Sequence, residues 1–274
     1  MNNLLSAGFV RLKKSKIYYG ALGVILLYCV FVYISQYLNM KKYDLTYSLE
    51  PLFFNFLPMI GIISAVYVSL FMGTEYSDGT IRNKLIIGNT RTNIYLSHLL
   101  VCITAETILI LFGYMLGIFL GIPLFGAFQM PASEVVKYCI LGLLSGISYT
   151  AIFYTITMLN SSKANSAVIC LLVAFAVLIL GIYILDLLVQ PEEVKQLAVK
   201  NGKEVLELAK NPSYLAGRKR DIYQFILDFL PSGQCFQMFE GEKVNIIRMY
   251  ASSVLTTIGI SCLGIYLFRK KDIK

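Results

Sequence analysis

Polar side chains are concentrated in the connector between residues 73 and 92, which joins two strongly apolar segments. It carries two carboxylates, a glycine-threonine pair and three basic side chains, in the order Glu75, Asp78, Gly79, Thr80, Arg82, Lys84 and Arg91. Carboxylates only accept hydrogen bonds when ionised, and Lys and Arg only donate them. This set can therefore form ion pairs within the chain or present charge to a partner.

The second part of the connector predicts a short helix. Ser77, Asp78 or Thr80 can cap its N-terminus, and Asp78 is also favoured there by the helix dipole. The pair Gly88-Asn89 can end it. We expect a short helix of about two turns between these signals.

Two faces of this helix differ in character. Ile81 and Leu85 are four residues apart and share an apolar edge, so Arg82 and Lys84 are expected on other, exposed faces. The alternative is a solvated loop that follows the positive-inside rule, which by itself would explain these two cations and Arg91.

Composition places the chain in the membrane class. Hydrophobic residues make up 57% and charged residues 15% of the sequence, and the mean hydropathy is +0.68, whereas a soluble domain needs far more polar surface. The net charge of +8 comes from Lys and Arg at the ends of apolar segments, which argues against nucleic-acid binding. Of the six cysteines only Cys235 lies in a long loop, so a disulfide framework is not expected.

Six windows are apolar enough to cross a bilayer, which takes about 20 residues each. They are residues 17–38, 51–72, 93–122, 137–159, 164–189 and 246–268. The first follows a basic cluster, as in a signal peptide, but its apolar run is too long and lacks a small-residue cleavage site. The sequence therefore predicts an all-α integral membrane protein with six transmembrane helices. Residues 4–12, ahead of the first window, form either an interfacial helix or a disordered tail.

Basic residues in the short connectors predict the orientation. Most of this charge lies in four segments: the N-terminus, the 73–92 connector, the 160–163 turn and the C-terminal tail. Residues 123–136, by contrast, contain no Lys or Arg. Lys41 and Lys42 on the first outer loop do not fit the pattern. The balance still predicts that both termini are cytoplasmic.

One carboxylate falls inside an apolar window. Glu106 lies near the middle of the third window, where a charge is costly enough to suggest a functional role. It can pair with a polar group on another helix, face a water-filled cavity, or act only in packing as a protonated or hydrogen-bonded group. Glycines recur at every fourth position of the same window, at Gly113, Gly117 and Gly121, and favour close helix packing.

The segment between the fifth and sixth windows, residues 190–245, is expected to be an extracellular helical insert. Pro191 begins a predicted helix that Asn201-Gly202 interrupts, and a second short helix follows up to Asn211. A stronger amphipathic stripe runs from Ile222 to Leu230 and is expected at the outer leaflet. This last helix either gates an exit path or caps the bundle.

No motif for nucleotide or metal chemistry occurs in the sequence. There is no G-x-x-x-x-G-K-[ST] loop to hold phosphates, and the single histidine, His98, leaves no zinc-binding spacing. The chain is therefore not expected to be an enzyme or to hold a cofactor of its own.

The order of residues in the connector resembles that of permease subunits of the ABC-2 transporter family, of the bacteriocin-immunity and antimicrobial-peptide type. The residues that carry the resemblance are Glu75, Asp78, Gly79, Thr80, Ile81, Arg82, Asn83, Lys84 and Arg91. Residues 160–164 and 230–234 also fit, and the insert is longer than is usual in such permeases.

The resemblance implies a single transmembrane domain over residues 1–274, in which these connector residues couple to separate ATPase subunits that hold ATP and magnesium. It implies a second permease subunit, a bacterial cell membrane, and export of a peptide, lipid-like or antimicrobial compound. Two alternatives stay open. One is a non-transporting sensor or immunity scaffold that binds a peptide through residues 190–245, and the other is an intramembrane enzyme.

Overall fold

The computed structural model describes residues 1–200, 203–240 and 245–272. In these ranges the chain forms helices and one pair of β-strands. In chain order they are α1 (Asn2–Lys13), α2 (Lys16–Tyr43), α3 (Leu49–Phe54), α4 (Leu57–Ser77), α5 (Thr80–Ile86), α6 (Arg91–Leu116), α7 (Ile122–Phe125), α8 (Ala132–Leu159), α9 (Lys163–Val189), β1 (Glu193–Lys200), β2 (Lys203–Lys210), α10 (Gly217–Phe229), α11 (Pro231–Glu240) and α12 (Ile246–Lys270).

Six helical segments in the described part of the chain are long and apolar enough to cross a membrane. They are α2, α3 with α4, α6 with α7, α8, α9 and α12. The fold is thus an all-α integral membrane fold with six spans, as the sequence predicted. The short helix predicted in the connector is present as α5, and the N-terminal segment is helical as α1.

Prolines mark the irregularities of the second and third spans. Pro58 lies in the first turn of α4, where its ring would clash with the carbonyl of Phe54 in a continuous helix, and α3 ends there. Pro123 removes the amide that an α-helix would bond to Phe119, and the preceding turn, Gly117–Gly121, is a π-helix. Each span therefore has its α-helical pattern interrupted at a position set by sequence.

Close helix packing depends on the small residues of α6 and α8. Helix α8 packs against α4, α6, α9, α11 and α12. A Cβ atom on Gly113 would collide with the ring of Phe56, and one on Gly142 would collide with the hydroxyl of Tyr114. The packing role predicted for these glycines is confirmed, since larger residues would force the helices apart.

The predicted helical insert is wrong for residues Glu193–Lys200 and Lys203–Lys210. The backbone there forms antiparallel strands, with Glu193 opposite Lys210 and Lys200 opposite Lys203. Asn201-Gly202, which we interpreted as a helix interruption, lies outside the described residues. Asn-Gly between two strand-forming runs is, however, a strong sequence signal for a β-hairpin, because both residues tolerate positive φ.

The insert is helical over Gly217–Phe229 and Pro231–Glu240. The amphipathic stripe forms α10 as predicted, and Pro231 separates it from α11, a helix that was not predicted. Helix α11 returns into the bundle, where Ser232 and Cys235 are buried against α9 and α8. The Ser232 hydroxyl donates to the carbonyl of Val177 at 2.7 Å. The insert thus closes the end of the bundle at which α9 finishes.

Candidate coupling site at the basic end

Four segments rich in Lys and Arg meet at one end of the bundle, which we call the basic end. They are α1, the 73–92 connector, the 160–163 turn and the tail after α12. Three contacts join them: Arg11 with Glu75, Gly73 with Lys163, and Lys271 Nζ with the Met158 carbonyl at 3.1 Å. The segments predicted to share one side of the membrane do lie together. That this side is cytoplasmic stays a prediction.

Glu75 is the centre of this end. It occupies the last turn of α4 and is only 4% exposed. Its carboxylate accepts from the Arg11 guanidinium, from the Thr80 hydroxyl and from Lys84 Nζ, the last at 2.7 Å. A buried carboxylate needs such partners because removal of its hydration is costly. The residue predicted to act at the connector therefore ties α1, α4 and α5 together.

Gly79 sets the direction in which the chain enters α5. Its φ of 66° lies in the left-handed region, where residues with a Cβ are strained, and it occupies the N-cap position. The next residue, Thr80, has its hydroxyl 3.0 Å from the Glu75 carbonyl oxygen. Ile81 is then buried against the bundle. The Gly-Thr-Ile order thus folds α5 back onto the end of α4.

Arg11 reaches Glu75 from α1 and is held by several further contacts. Its guanidinium also donates to the carbonyl of Phe71 and to the Thr74 hydroxyl. It lies 4.5 Å from the centroid of the Phe71 ring, within cation–π range. A planar guanidinium suits this set of acceptors better than an ammonium would. Arg11 therefore fixes α1 to the end of α4.

His98 extends the cluster to α6. Its Nε2 lies 2.9 Å from Lys84 Nζ, and an ammonium can only donate. The neutral imidazole consequently carries its proton on Nδ1, which has no hydrogen-bond partner among the described residues. Lys84 is thereby held between a carboxylate on α4 and an imidazole on α6.

Arg91 has a different role from the other basic residues of the connector. Its guanidinium donates to the carbonyls of Phe268 and Arg269, each at 3.1 Å, and to that of Lys271. These are the final carbonyls of α12, which have no partners within the helix. Arg91 therefore caps the last span and fixes it to the start of α6.

The connector presents a second set of residues outward. Asp78, Arg82 and Asn83 are exposed, as are the apolar side chains of Ile86 and Ile87, at 73% and 80%. The predicted apolar edge is confirmed, since Ile81 is buried and Leu85 half-buried. The prediction that Lys84 lies on an exposed face is wrong, because its carboxylate partner on α4 draws it inward.

Glu106 lies in the core of the bundle, fully buried on α6. The Ser64 hydroxyl of α4 donates to its Oε1 at 2.7 Å, so the expected polar partner on another helix is present. Its Oε2 and the hydroxyl of Thr150 on α8 have no hydrogen-bond partner in the described part of the chain. Glu106 thus lies where α4, α6 and α8 meet, and it forms no ion pair with any residue that the structure describes.

Two groups of interacting residues were not predicted. Arg11 belongs to the basic N-terminal segment that predicts the orientation of the protein in the membrane, and nothing in its spacing connects it with Glu75. Asp228, within the amphipathic stripe of α10, is buried and pairs with Arg248 of α12 at 3.1 Å. A carboxylate that interrupts an apolar stripe is a signal that could have identified the second group.

The chemistry of the basic end is limited to holding charge in place. Within the described residues no group of three or more His, Cys, Asp or Glu could bind a metal ion. The arrangement can fix helices to one another and transmit force, and it presents an exposed polar surface on α5.

A family model matches the part of the sequence that forms most of this end of the bundle. Residues 4–181 match the model of the ABC-2 family transporter proteins, a region that runs from α1 into α9 and includes Glu75, α5 and Glu106. No curated protein matched the chain. Members of this family are the membrane components of ABC transporters and generally work with ATPase subunits. The chain belongs to the ABC-2 family of transporter proteins and is the permease component of an ABC transporter.

Proposed function

We propose that this permease exports a peptide, lipid-like or antimicrobial compound from a bacterial cell, with its basic end in the cytoplasm. Separate ATPase subunits that hold ATP and magnesium bind the outward face of α5, and a second permease subunit, identical or homologous, completes the membrane part. The resemblance of the connector to bacteriocin-immunity and antimicrobial-peptide permeases supports the choice of cargo.

The division of the connector into inward and outward residues is the observation that carries this proposal. Glu75, Thr80 and Lys84 anchor α5 to the bundle, while Arg82 and Asn83 remain free to meet a partner. If the basic residues of the connector served only to set orientation by the positive-inside rule, the buried ion pair between Glu75 and Lys84 would not be required. An anchored helix with an exposed polar face can transmit a push from a soluble subunit.

The contacts provide a continuous route for such a push. Movement of α5 acts on Glu75 at the end of α4 through Lys84 and Thr80. Helix α4 in turn contacts α6 through the Ser64–Glu106 hydrogen bond, and it packs directly on α8. Because these helices are close-packed, displacement of one requires rearrangement of the others. We propose that closure of the ATPase dimer reorients the bundle along this route.

Reversal of the outward charge tests the ATPase contact. Arg82→Glu is expected to reduce copurification of the ATPase about tenfold, equivalent to about 1.4 kcal/mol, because a like charge then faces the partner surface. The matched control is Lys14→Glu, which reverses an exposed charge of the same end outside the connector. Cargo-stimulated ATP hydrolysis is measured in parallel.

Equal ATPase recovery from both variants and from the unmodified chain would contradict docking on α5. Failure to recover any ATPase from the unmodified chain would instead favour the non-transporting sensor or immunity scaffold. Lys84 is unsuitable for this test, because its replacement also breaks the buried ion pair with Glu75.

Orientation has its own test by cysteine labelling. In a cysteine-free version, a cysteine at Lys195 of the hairpin is expected to react with an impermeant maleimide on intact cells. A cysteine at Arg82 of the basic end is expected to react only after permeabilisation. The reverse pattern would place the basic end outside the cell and overturn the proposed topology.

A further inference from the structure

A cavity of about 440 Å³ lies at the end of the bundle opposite the basic end. Its walls come from the start of α3, the loop before α8 and helix α11, and include Ser48, Glu50, Met130 and Met238. Cavities of this size are within the range that binds small molecules or side chains. Neither the family match nor the proposed ATPase contact assigns a role to this cavity.

Glu50 supplies a charged group to the cavity. The residue is only 5% exposed, and its Oε1 accepts the backbone N–H groups of Gln129 and Met130, the latter at 2.8 Å. Its Oε2 has no hydrogen bond to the described residues. The two backbone donors fix the orientation of the carboxylate and leave one oxygen available to a ligand.

The absence of a nearby cation distinguishes Glu50 from the other buried carboxylates at the ends of the bundle. Glu75 pairs with Arg11 and Lys84, and Asp228 pairs with Arg248. Among the described residues no Lys or Arg nitrogen lies within the 4.0 Å ion-pair distance of Glu50. A positively charged ligand would supply the ion pair that this largely buried carboxylate lacks among the described residues.

The remaining walls restrict the kind of cation. Pro51, Pro131, Met130 and Met238 give the cavity apolar sides, and only Ser48 and Gln129 add neutral polar groups. Calcium and magnesium need about six oxygen ligands, which a single carboxylate cannot supply. An organic cation with a short apolar stem satisfies both the charge and the walls, because methionine adapts its shape to such groups.

We propose that this cavity binds the ammonium or guanidinium group of an organic cation, either a basic peptide side chain or a free amine. Glu50 and Glu75 are at the two ends of the same span, roughly 35–40 Å apart at 1.5 Å per residue. The cavity therefore opens on the side away from the ATPase contact. Binding there needs only this chain and stands independently of the proposed function.

Direct binding to the purified full chain in lipid nanodiscs tests the assignment. The probes are butylammonium with neutral 1-butanol as its control, and the blocked tripeptide Ala-Lys-Ala with Ala-Gln-Ala as its control. The charged member of each pair is expected to bind and the neutral member is not. The relative affinity of amine and tripeptide identifies the source of the cation, and binding of either charged probe supports the cavity.

Two variants locate the binding. Glu50→Gln keeps an oxygen for the backbone N–H groups but removes the charge, and a loss of at least about tenfold in affinity is expected. Ser48→Lys places a tethered ammonium in the cavity and is expected to abolish probe binding even if Glu50→Gln fails to fold. Glu134→Gln, at the exposed start of α8 on the same end, is the matched control and is expected to change nothing.

Equal binding of charged and neutral probes would overturn the proposal. So would unchanged affinity in Ser48→Lys, or displacement of butylammonium by millimolar calcium but not by the lysine tripeptide. Because no ATPase is present in these measurements, their failure leaves the coupling proposal untouched, and failure of the Arg82→Glu experiment leaves this one untouched.

Discussion

The basic end of the bundle and the opposite end, which we call the insert end, each contain a buried carboxylate that forms an ion pair, and these two carboxylates are neutralised differently. At the basic end Glu75 accepts from Arg11 of α1 and from Lys84 of α5, two cations that come from separate helices. At the insert end Asp228 pairs with one cation, Arg248, and accepts amide N–H groups from Gln224 and Gln237 at 2.9 and 3.3 Å.

This difference shows at which end charged contacts hold several helices together. Full charges on separate elements hold α1, α4 and α5 together at the basic end, so the position of α5 depends on one carboxylate. At the insert end neutral amides of α10 and α11 also donate hydrogen bonds to the carboxylate. Its cation, Arg248, is 43% exposed and partly hydrated. We therefore expect charge removal to matter more at Glu75 than at Asp228.

Removal of the Glu75 charge is expected to have the largest effect. Glu75→Gln leaves Arg11 and Lys84 close together without their anion, and we expect a loss of about 3 kcal/mol in the free energy of unfolding. The value is at the low end for buried pairs because both cations reach some solvent, at 31% and 20% exposure. Unfolding measured in bicelles by steric trapping checks the value.

A double-mutant cycle with Arg11→Met separates this effect from general damage to α4. We expect a coupling energy of about 1–2 kcal/mol between positions 11 and 75, in the range found for residues in contact. Additive effects would mean that the ion pair contributes nothing, and the contact between α1 and α4 would then depend on packing alone.

Removal of the Asp228 charge is expected to have a smaller effect. Asp228→Asn keeps an oxygen for Gln224 and Gln237 and loses only the charge that faces the half-exposed Arg248. We expect a loss of about 1 kcal/mol, measured under the same conditions as for Glu75→Gln. A loss equal to that at Glu75 would show that the two ends are not distinguished by how their carboxylates are neutralised.

Glu106 is a further buried carboxyl group, and it forms no ion pair among the described residues. In Glu106→Gln the amide oxygen can still accept from Ser64, so the free energy of unfolding should change by less than about 1 kcal/mol. We expect cargo-stimulated ATP hydrolysis to fall nevertheless, because the substitution removes the ionisable group on the proposed route from α4 to α6 while the Ser64 contact remains. Unchanged stimulation together with unchanged stability would reduce Glu106 to a packing residue.

Much of the connector could be predicted from local sequence. The Ile81–Leu85 spacing and the Gly88-Asn89 stop are short-range signals, and they placed α5 and its buried edge correctly. The cap predicted at Ser77, Asp78 or Thr80 is wrong, because Gly79 occupies the N-cap position and no side chain caps the helix. The side on which Lys84 lies could not be predicted in this way. Helix geometry alone gives it an outward position, and only the neighbouring carboxylate on α4 reverses that.

The insert shows a different kind of error. The Asn201-Gly202 signal for a hairpin was present in the sequence, but the apolar spacing around it also fitted short helices. Strand pairing between Glu193 and Lys210 joins residues whose individual preferences are weak. Such pairing is decided by cross-strand contacts, which local propensity does not report.

The sequence by itself determined the six spans, the grouping of basic segments and the breaks at Pro58 and Pro123. The reason is that hydropathy, charge and the missing proline N–H act within a single turn or a single span. Only the tertiary structure decided that Arg11 meets Glu75, that Arg91 caps α12, and that Glu50 lines a cavity. These contacts join residues far apart in the chain, and close packing of the helices selects them.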